Sequence, residues 1–269
     1  MFHIESPNIV PQHRKFPFRI WKVRPDPHSD DVALELRNQA DKQVSYATIR
    51  PAETELKLLM ERRASDWWTG IEQIDEGVLL LHGYEEPGLP LHRGLEAISS
   101  TTGETLWQDP QAVFRGSLPQ QVFLERAGRY EIRDLRSGEL REEIEDWKEE
   151  AFQSRLQAYE TESTQGLAFP QAVGTEDPRY FSWKDRLGIE PFGPLSILRR
   201  DDWEVVAWHE GKPGEFALAL AIFRQDDLVL DGWLEEDMRG MHPDPFFLHG
   251  KRLIAIRDQV EFVQIPLPD

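Results

Sequence analysis

The stretch GLEAISSTTGETLW, residues 94–107, predicts two strands joined by a tight turn. Gly103 can take the positive φ that such a turn needs, and the hydroxyl of Thr102 can hydrogen-bond back to the turn backbone. Trp107 ends the second strand with a ring large enough to bury against a neighbouring sheet. We therefore interpret this stretch as structural and not as a cofactor site.

The same pattern recurs 35 positions further along the chain. In both copies an apolar residue is followed by a hydroxyl residue, a glycine and a glutamate: Ala97, Thr102, Gly103 and Glu104, then Ile132, Ser137, Gly138 and Glu139. An apolar run precedes each copy, at residues 77–84 and 121–124. A repeat of about 35 to 45 residues with several strands per unit is typical of a β-propeller blade.

The two copies resemble the repeat of quinoprotein-type β-propellers, which has Ala, Asp two residues later, Thr-Gly, and Trp four residues after the Gly. The matching positions are Ala97, Thr102, Gly103 and Trp107 in the first copy, and Asp134 and Gly138 in the second. Ser99, Ser137 and Glu142 replace the expected Asp, Thr and Trp. The resemblance implies that Trp107 docks adjacent blades and holds no cofactor.

The quinone dehydrogenases that carry this repeat are much longer chains, with a Cys-Cys ring and a calcium-binding set of carboxylates. This sequence has no cysteine, which also excludes disulfides, thiolate metal sites and cysteine nucleophiles. We therefore expect no cofactor. We also expect no bound metal, because lone histidines near strand ends are usually surface residues or hydrogen-bonded core groups.

The composition predicts one all-β domain over residues 1–269, a β-propeller-like ring of antiparallel sheets. Nine Trp, fourteen Phe, 19 Pro and 18 Gly favour short strands and frequent turns. Apolar residues at steps of three and four predict one inserted helix at about residues 141–160. We expect the final strand to pair with the N-terminal one, which would protect both strand edges.

The charge balance excludes some classes of partner. The chain has 49 acidic and 31 basic residues, a net charge of −18, which repels phosphate backbones and anionic lipid heads. No run approaches the roughly 20 apolar residues of a membrane span, and the first residues do not form a signal-peptide pattern. We expect a cytoplasmic protein that binds neither nucleic acid nor membrane. A high-salt cytoplasm and a biased genome composition explain the acidity equally well.

Two groups of histidines and carboxylates are candidates for a ligand-binding or metal site. His82, Glu85, Glu86 and His92 surround an inserted loop at 85–94, and His242, Asp244 and His249 lie close together near the C-terminus. Neutral imidazole with carboxylate suits zinc, manganese or iron. Neither spacing is a recognised metal signature, and the two groups would have to converge in the fold.

Exposed aromatic rings are the other candidates. Trp67 and Trp68 are adjacent and would point to opposite faces of a strand, so that one of them could bind a sugar or a peptide. Trp233 lies in residues 231–247, which we interpret as a loop-rich segment. The segment EGKPGE at 210–215 has neither the upstream glycine nor the following hydroxyl residue of a phosphate-binding loop.

These observations favour a non-catalytic scaffold that binds an unknown protein or small ligand through its loop face. The candidate ligand-binding residues are Trp67, Trp68, His82, His92, Trp233, His242 and Asp244. The alternative is a metal-dependent enzyme with a histidine and carboxylate site at the mouth of the propeller channel.

Overall fold

The computed structural model describes residues 2–5, 9–51, 56–64, 66–86, 90–163, 166–241 and 245–268. The chain divides into two compact units, which are residues 18–166 and residues 1–17 with 167–269. Their strands form five antiparallel sheets, and the predicted all-β class is confirmed. The ring arrangement and the single domain stay predictions.

The unit at 18–166 contains three sheets, each made of four consecutive strands. Two short strands, β1 (Phe2–Ile4) and β2 (Gln12–Lys15), precede this unit in the chain. Sheet I consists of β3 (Arg19–Pro25), β4 (Val32–Asn38), β5 (Gln43–Pro51) and β6 (Leu56–Arg63). Sheet II consists of β7 (Thr69–Asp75), β8 (Val78–Tyr84), β9 (His92–Ser99) and β10 (Thr105–Asp109). Sheet III consists of β11 (Val113–Leu118), β12 (Gln121–Arg126), β13 (Arg129–Asp134) and β14 (Leu140–Ile144).

The side chains of β8 alternate between two hydrophobic cores, one shared with sheet I and the other with sheet III. Leu79 and Leu81 pack with residues of sheet I, whereas Val78 and Leu80 pack with residues of sheet III. A strand covered on both faces needs a continuous apolar run, because neither face meets water. This explains why residues 78–81 have no polar position.

The two copies of the sequence repeat form the same turn. Each copy connects the third strand of a sheet to the fourth, β9 to β10 and β13 to β14. Gly103 and Gly138 have φ of +74° and +71°, and their N–H groups donate to Ser99 O at 2.8 Å and Asp134 O at 2.9 Å. The side chains of Ser99 and Asp134 both accept hydrogen bonds from the backbone N–H groups of the residues two and three positions later. The two copies of the repeat therefore have the same local structure.

Each of these glycines also receives a side chain from the preceding sheet. A Cβ placed on Gly103 would lie 2.9 Å from Met60 Cγ of β6, and one on Gly138 would lie 2.5 Å from Trp107 Cγ of β10. The indole Nε1 of Trp107 donates to Leu135 O at 2.9 Å. The Trp107 ring thus packs sheet II against the turn of sheet III.

The second unit contains two larger sheets and a helix. Its remaining elements are β15 (Leu167–Ala168), β16 (Gln171–Val173), α2 (Pro178–Leu187), β17 (Leu195–Arg200), β18 (Trp203–Lys212), β19 (Glu215–Arg224), β20 (Asp227–Met238), β21 (Phe246–His249), β22 (Arg252–Arg257) and β23 (Glu261–Pro266). Sheet IV has the strand order β1-β20-β19-β18-β17-β16, and sheet V has the order β15-β21-β22-β23-β2. The pairing of β2 with β23 confirms that an N-terminal strand joins the last strand.

The helices differ from the sequence prediction. Helix α1 (Glu149–Ser163) begins eight residues after the predicted start at 141, because Leu140–Ile144 pairs with β13 as a strand. Helix α2 was not predicted, although Asp177 caps its N-terminus, Pro178 occupies the first turn and Gly188 ends it with φ of 65°. Among the described residues, neither helix is long and apolar enough to cross a membrane.

Candidate functional site

Two β-bulges place Glu72, His82 and His92 on one face of sheet II. On β7 the register with β8 shifts between Ile71 and Gln73, so that Glu72 is the extra residue. On β9 the register shifts at Gly94, which has φ of 82°. Tyr84 pairs with His92, two residues beyond His82 on the same face, and without the extra residue His92 would face the other way.

The three side chains meet at one carboxylate oxygen. Nδ1 of His92 donates to Glu72 Oε2 at 2.9 Å, and Nδ1 of His82 lies 2.9 Å from the same oxygen without hydrogen-bond geometry. The two imidazole rings stack with centroids 3.5 Å apart, and Tyr84 contacts both rings edge-on. Burial works to raise the pKa of the Glu72 carboxyl, but its interactions with His82 and His92 outweigh burial and hold that pKa below its usual range.

His82 is the buried member of this cluster. It is 3% exposed, and neither ring nitrogen has a hydrogen-bond partner among the described residues. Gly70 is its neighbour on β7, and a Cβ placed there would lie 2.9 Å from His82 Nε2. The missing side chain of Gly70 therefore leaves the space that the His82 ring occupies. His82 also helps to line a cavity of about 320 Å³.

A second candidate site lies at the other end of sheet II, where the turns of sheets I, II and III meet. We call it the turn-face pocket; it has a volume of about 700 Å³. The loops and turns that line it contribute His28, Asp31, Glu76, Thr101, Gln120 and Arg136, among others. Asp134, a repeat position, also lines this pocket. Its pKa is lowered to about 2, mainly because its carboxylate accepts a hydrogen bond from the backbone N–H of Ser137.

Buried carboxylates support the wall of the turn-face pocket. Asp26 accepts hydrogen bonds from the N–H groups of His28 and Gly77, each at 2.9 Å. Asp75 is fully buried; it lies 2.9 Å from His28 Nδ1 and accepts a 2.6 Å hydrogen bond from the Ser117 hydroxyl. Burial raises the pKa of Asp75 above its usual range. Every carboxylate oxygen of this cluster has a partner, so its geometry is that of a structural support.

The sequence-predicted site residues do not form one site. Of the predicted histidines that the structure describes, His82 and His92 come together, and they do so with Glu72, which was not predicted. Glu85 and Glu86 are exposed, whereas His242 and Asp244 lie outside the described residues. His249 lies on β21 of the other unit.

The predicted aromatic candidates lie in different places. Trp68 packs edge-on against Tyr84, which contacts His82 and His92, with ring centroids 6.1 Å apart. Trp67 and Trp68 lie in a bend before β7 and not in a strand, which corrects the two-face prediction. Trp67 is half-buried between Arg37 and Lys42, at 4.7 and 4.8 Å from its ring, whereas Trp68 is 38% exposed. Trp233 belongs to β20, so residues 231–238 are strand and not loop. It lines a pocket of about 500 Å³ with Phe2 and residues of β2 and β22.

A signal for Glu72 exists in the sequence. Ile71 and Ile74 are three residues apart, yet both are fully buried in the same core. A regular strand would place them on opposite faces, so this spacing within residues 70–75 indicates a bulge. The residue at such a bulge is a candidate for a re-aimed side chain.

One family model matches a part of this chain. The model of the family described as a domain of unknown function, DUF4905, matches residues 25–107. This range is less than a third of the chain and contains Glu72, His82 and His92. A quinoprotein-type family is not shown among the matched models. No curated protein matches the sequence.

Several solved structures of β-propeller type are similar to this chain. Kluyveromyces lactis Hsv2 is 8% identical with a TM-score of 0.30, and the match covers 90% of this chain and 72% of that one. The WD40 domain of SCAP from fission yeast is 9% identical with a TM-score of 0.25, covering 99% and 76%. The GH43_1 enzyme from Xanthomonas citri, complexed with xylotriose, is 8% identical with a TM-score of 0.32, covering 94% and 89%.

Proposed function

We propose that this chain is a non-catalytic binding module that holds a polar segment of a partner protein in the turn-face pocket. The observation that supports this proposal is the position of the pocket, where turns of three successive sheets meet around about 700 Å³. Turns on a rigid sheet scaffold are common binding elements, because they vary without disturbing the core.

The lining of the pocket favours a protein segment over a compact small molecule. Sites for small molecules are mostly apolar with a few polar groups. Here the lining includes three carboxylates, Asp31, Glu76 and Asp134, and two guanidinium groups, Arg50 and Arg136. A peptide backbone with side chains of both charges can pair with such a mixed surface.

Other parts of the interpretation are proposals of the same kind. The net charge of −18 supports a partner that is neither nucleic acid nor a membrane, and a cytoplasmic location belongs to the same proposal. The identical turns at Gly103 and Gly138 support the resemblance to quinoprotein-type repeats.

A charge-reversal experiment tests the proposed function. Arg136 is exposed at the pocket, and Arg129 is exposed at the β12–β13 turn, which lies at the opposite end of the same sheet. The full chain, Arg136→Glu and Arg129→Glu are immobilised and incubated with lysate of the source organism, and the bound proteins are quantified by mass spectrometry. The strongest candidate is then purified, and its affinity for the three proteins is measured.

We expect one protein to be retained by the wild type and by Arg129→Glu but lost with Arg136→Glu. Its dissociation constant should rise about tenfold or more for Arg136→Glu, because the variant replaces a cation that can pair with an acidic group of the bound segment by an anion that repels it. Equal retention by both variants would contradict the proposal, as would the absence of any specifically retained protein.

A metal-dependent enzyme is the second candidate function, and the convergence of Glu72, His82 and His92 favours it. It uses the opposite end of sheet II from the turn-face pocket, so the two functions need different residues.

A further inference from the structure

We propose that Glu72, His82 and His92 bind a first-row divalent cation, with Zn²⁺ as the best match. The site is independent of the turn-face pocket. One carboxylate oxygen and two imidazole nitrogens, each from a different strand, lie within 4.8 Å of one another.

The distances between the donor atoms are close to those of a metal site. Both Nδ1 atoms lie 2.9 Å from Glu72 Oε2. Around a tetrahedral zinc ion, with bonds of about 2.0–2.1 Å, ligand atoms are about 3.3–3.4 Å apart. A movement of a few tenths of an ångström, with rotation of the stacked rings, would admit the ion.

The buried state of His82 is the second and independent observation. An imidazole must satisfy its ring nitrogens when it leaves water, and a partnerless buried nitrogen is unfavourable. His82 is 3% exposed, and both of its ring nitrogens lack hydrogen-bond partners among the described residues. Its Nδ1 lies 2.9 Å from the oxygen that binds His92, but the geometry is not that of a hydrogen bond. A cation between these atoms would coordinate the nitrogen and also pair with the carboxylate.

The strands are shaped to form this cluster. The bulge at Glu72 adds a carboxylate to the face of His82, the bulge at Gly94 keeps His92 on that face, and Gly70 makes room for the His82 ring. Bulges interrupt the hydrogen-bond ladder and commonly re-aim side chains at functional sites.

The ligand types select the class of cation. Two imidazoles and one carboxylate suit zinc and its first-row neighbours, whereas calcium and magnesium prefer oxygen ligands throughout. The side chain of His92 is 34% exposed, so an ion can enter from the solvent side. Three protein ligands would leave the fourth tetrahedral position to water.

The cluster of Asp26, His28 and Asp75 is the competing site within the same unit. Its carboxylate oxygens already accept hydrogen bonds from N–H groups or from Ser117, or lie against His28. A cation there would have to displace these partners. The substitution His28→Gln therefore distinguishes the two sites.

Metal titration of the full chain tests the proposal. The protein is stripped with a chelator, and Zn²⁺ and Co²⁺ are titrated by calorimetry and by absorption spectroscopy. Glu72→Gln and His92→Gln each remove one ligand, whereas His28→Gln and His3→Gln are matched controls. Circular dichroism and melting curves of the metal-free proteins show whether each variant folds.

We expect one Zn²⁺ per chain, a higher melting temperature with Zn²⁺, and a Co²⁺ spectrum typical of low coordination number. Loss of one ligand should weaken binding by more than about 100-fold, since even partners behind the ligands contribute 10- to 100-fold. Both control variants should bind as the wild type does. Substoichiometric binding, or equal binding by folded Glu72→Gln and His92→Gln, would overturn the proposal. Loss of the ion in His28→Gln alone would assign it to the competing cluster and also overturn it.

Discussion

At the scale of single residues, glycines in the repeat turns have two functions at once. Gly138 adopts φ of 71°, and its missing side chain gives the Trp107 indole a place to pack. Gly128 has a similar φ of 77°, but nothing lies within 4 Å of the position where its Cβ would be. The backbone requirement is therefore shared by both glycines, and the packing requirement belongs to Gly138.

We predict that Gly138→Ala destabilises the protein more than Gly128→Ala does. Both variants incur the cost of a left-handed conformation, about 1–2 kcal/mol. Gly138→Ala adds the displacement of Trp107, for which overpacking costs of about 1–3 kcal/mol are typical. Urea unfolding, with the slope compared between variants, measures the difference. Equal free energies of unfolding for the two variants would show that Trp107 relaxes without cost.

At the scale of elements, the edge strand β2 contains a histidine whose protonation opposes folding. His13 pairs with Val263 of β23, and its ring stacks on Phe2 with centroids 6.2 Å apart. Burial is the main cause that lowers its pKa below 6.5; Arg257 adds to this, whereas Glu261 acts in the opposite direction. The folded state therefore binds a proton at His13 less readily than the unfolded state does.

We predict that the wild type loses stability relative to His13→Gln as the pH falls from about 7.5 to about 5.5. Above the unfolded pKa of 6.5, His13 is neutral in both states and contributes no pH dependence. Below it the unfolded chain takes up the proton first, so unfolding becomes more favourable until the lower folded pKa is passed. Melting temperatures of both proteins across this range provide the measurement. A constant difference, or one of opposite sign, would contradict the lowered pKa.

At the scale of the whole molecule, the charge of −18 opposes compaction. Some of the acidic residues form runs: Glu142, Glu143 and Glu145 are exposed, at or just after β14, and no ion pair to them is seen among the described residues. Salt screens such repulsion, with a Debye length of about 10 Å at 0.1 M.

We predict that raising NaCl from about 0.05 to about 0.5 M increases the melting temperature by a few degrees. The triple variant Glu142→Gln, Glu143→Gln and Glu145→Gln should melt higher than the wild type at low salt and respond less to added salt. Differential scanning calorimetry of both proteins measures these effects. A melting temperature that falls with salt would mean that attractive ion pairs outweigh the repulsion.

The sequence by itself determined the all-β class, the two strands within residues 94–107 and the repeated turns at Gly103 and Gly138. These features are local: a positive φ, a hydroxyl group beside it and an apolar run are properties of a few neighbouring residues. Helix α1 was displaced from its prediction because Ile144 follows the helical spacing but pairs with Tyr130 across a strand. The local pattern there fits both structures, and pairing with β13 decides between them.

Only the tertiary structure decided the candidate site. His82 and His92 were candidates because they lie around the inserted loop at 85–94, but their third partner, Glu72, depends on where β7 and β9 shift register against β8. A register shift of one residue moves a side chain to the other face of a sheet, and that shift is fixed by contacts between strands. Residues distant in sequence therefore determine which side chains can share a ligand.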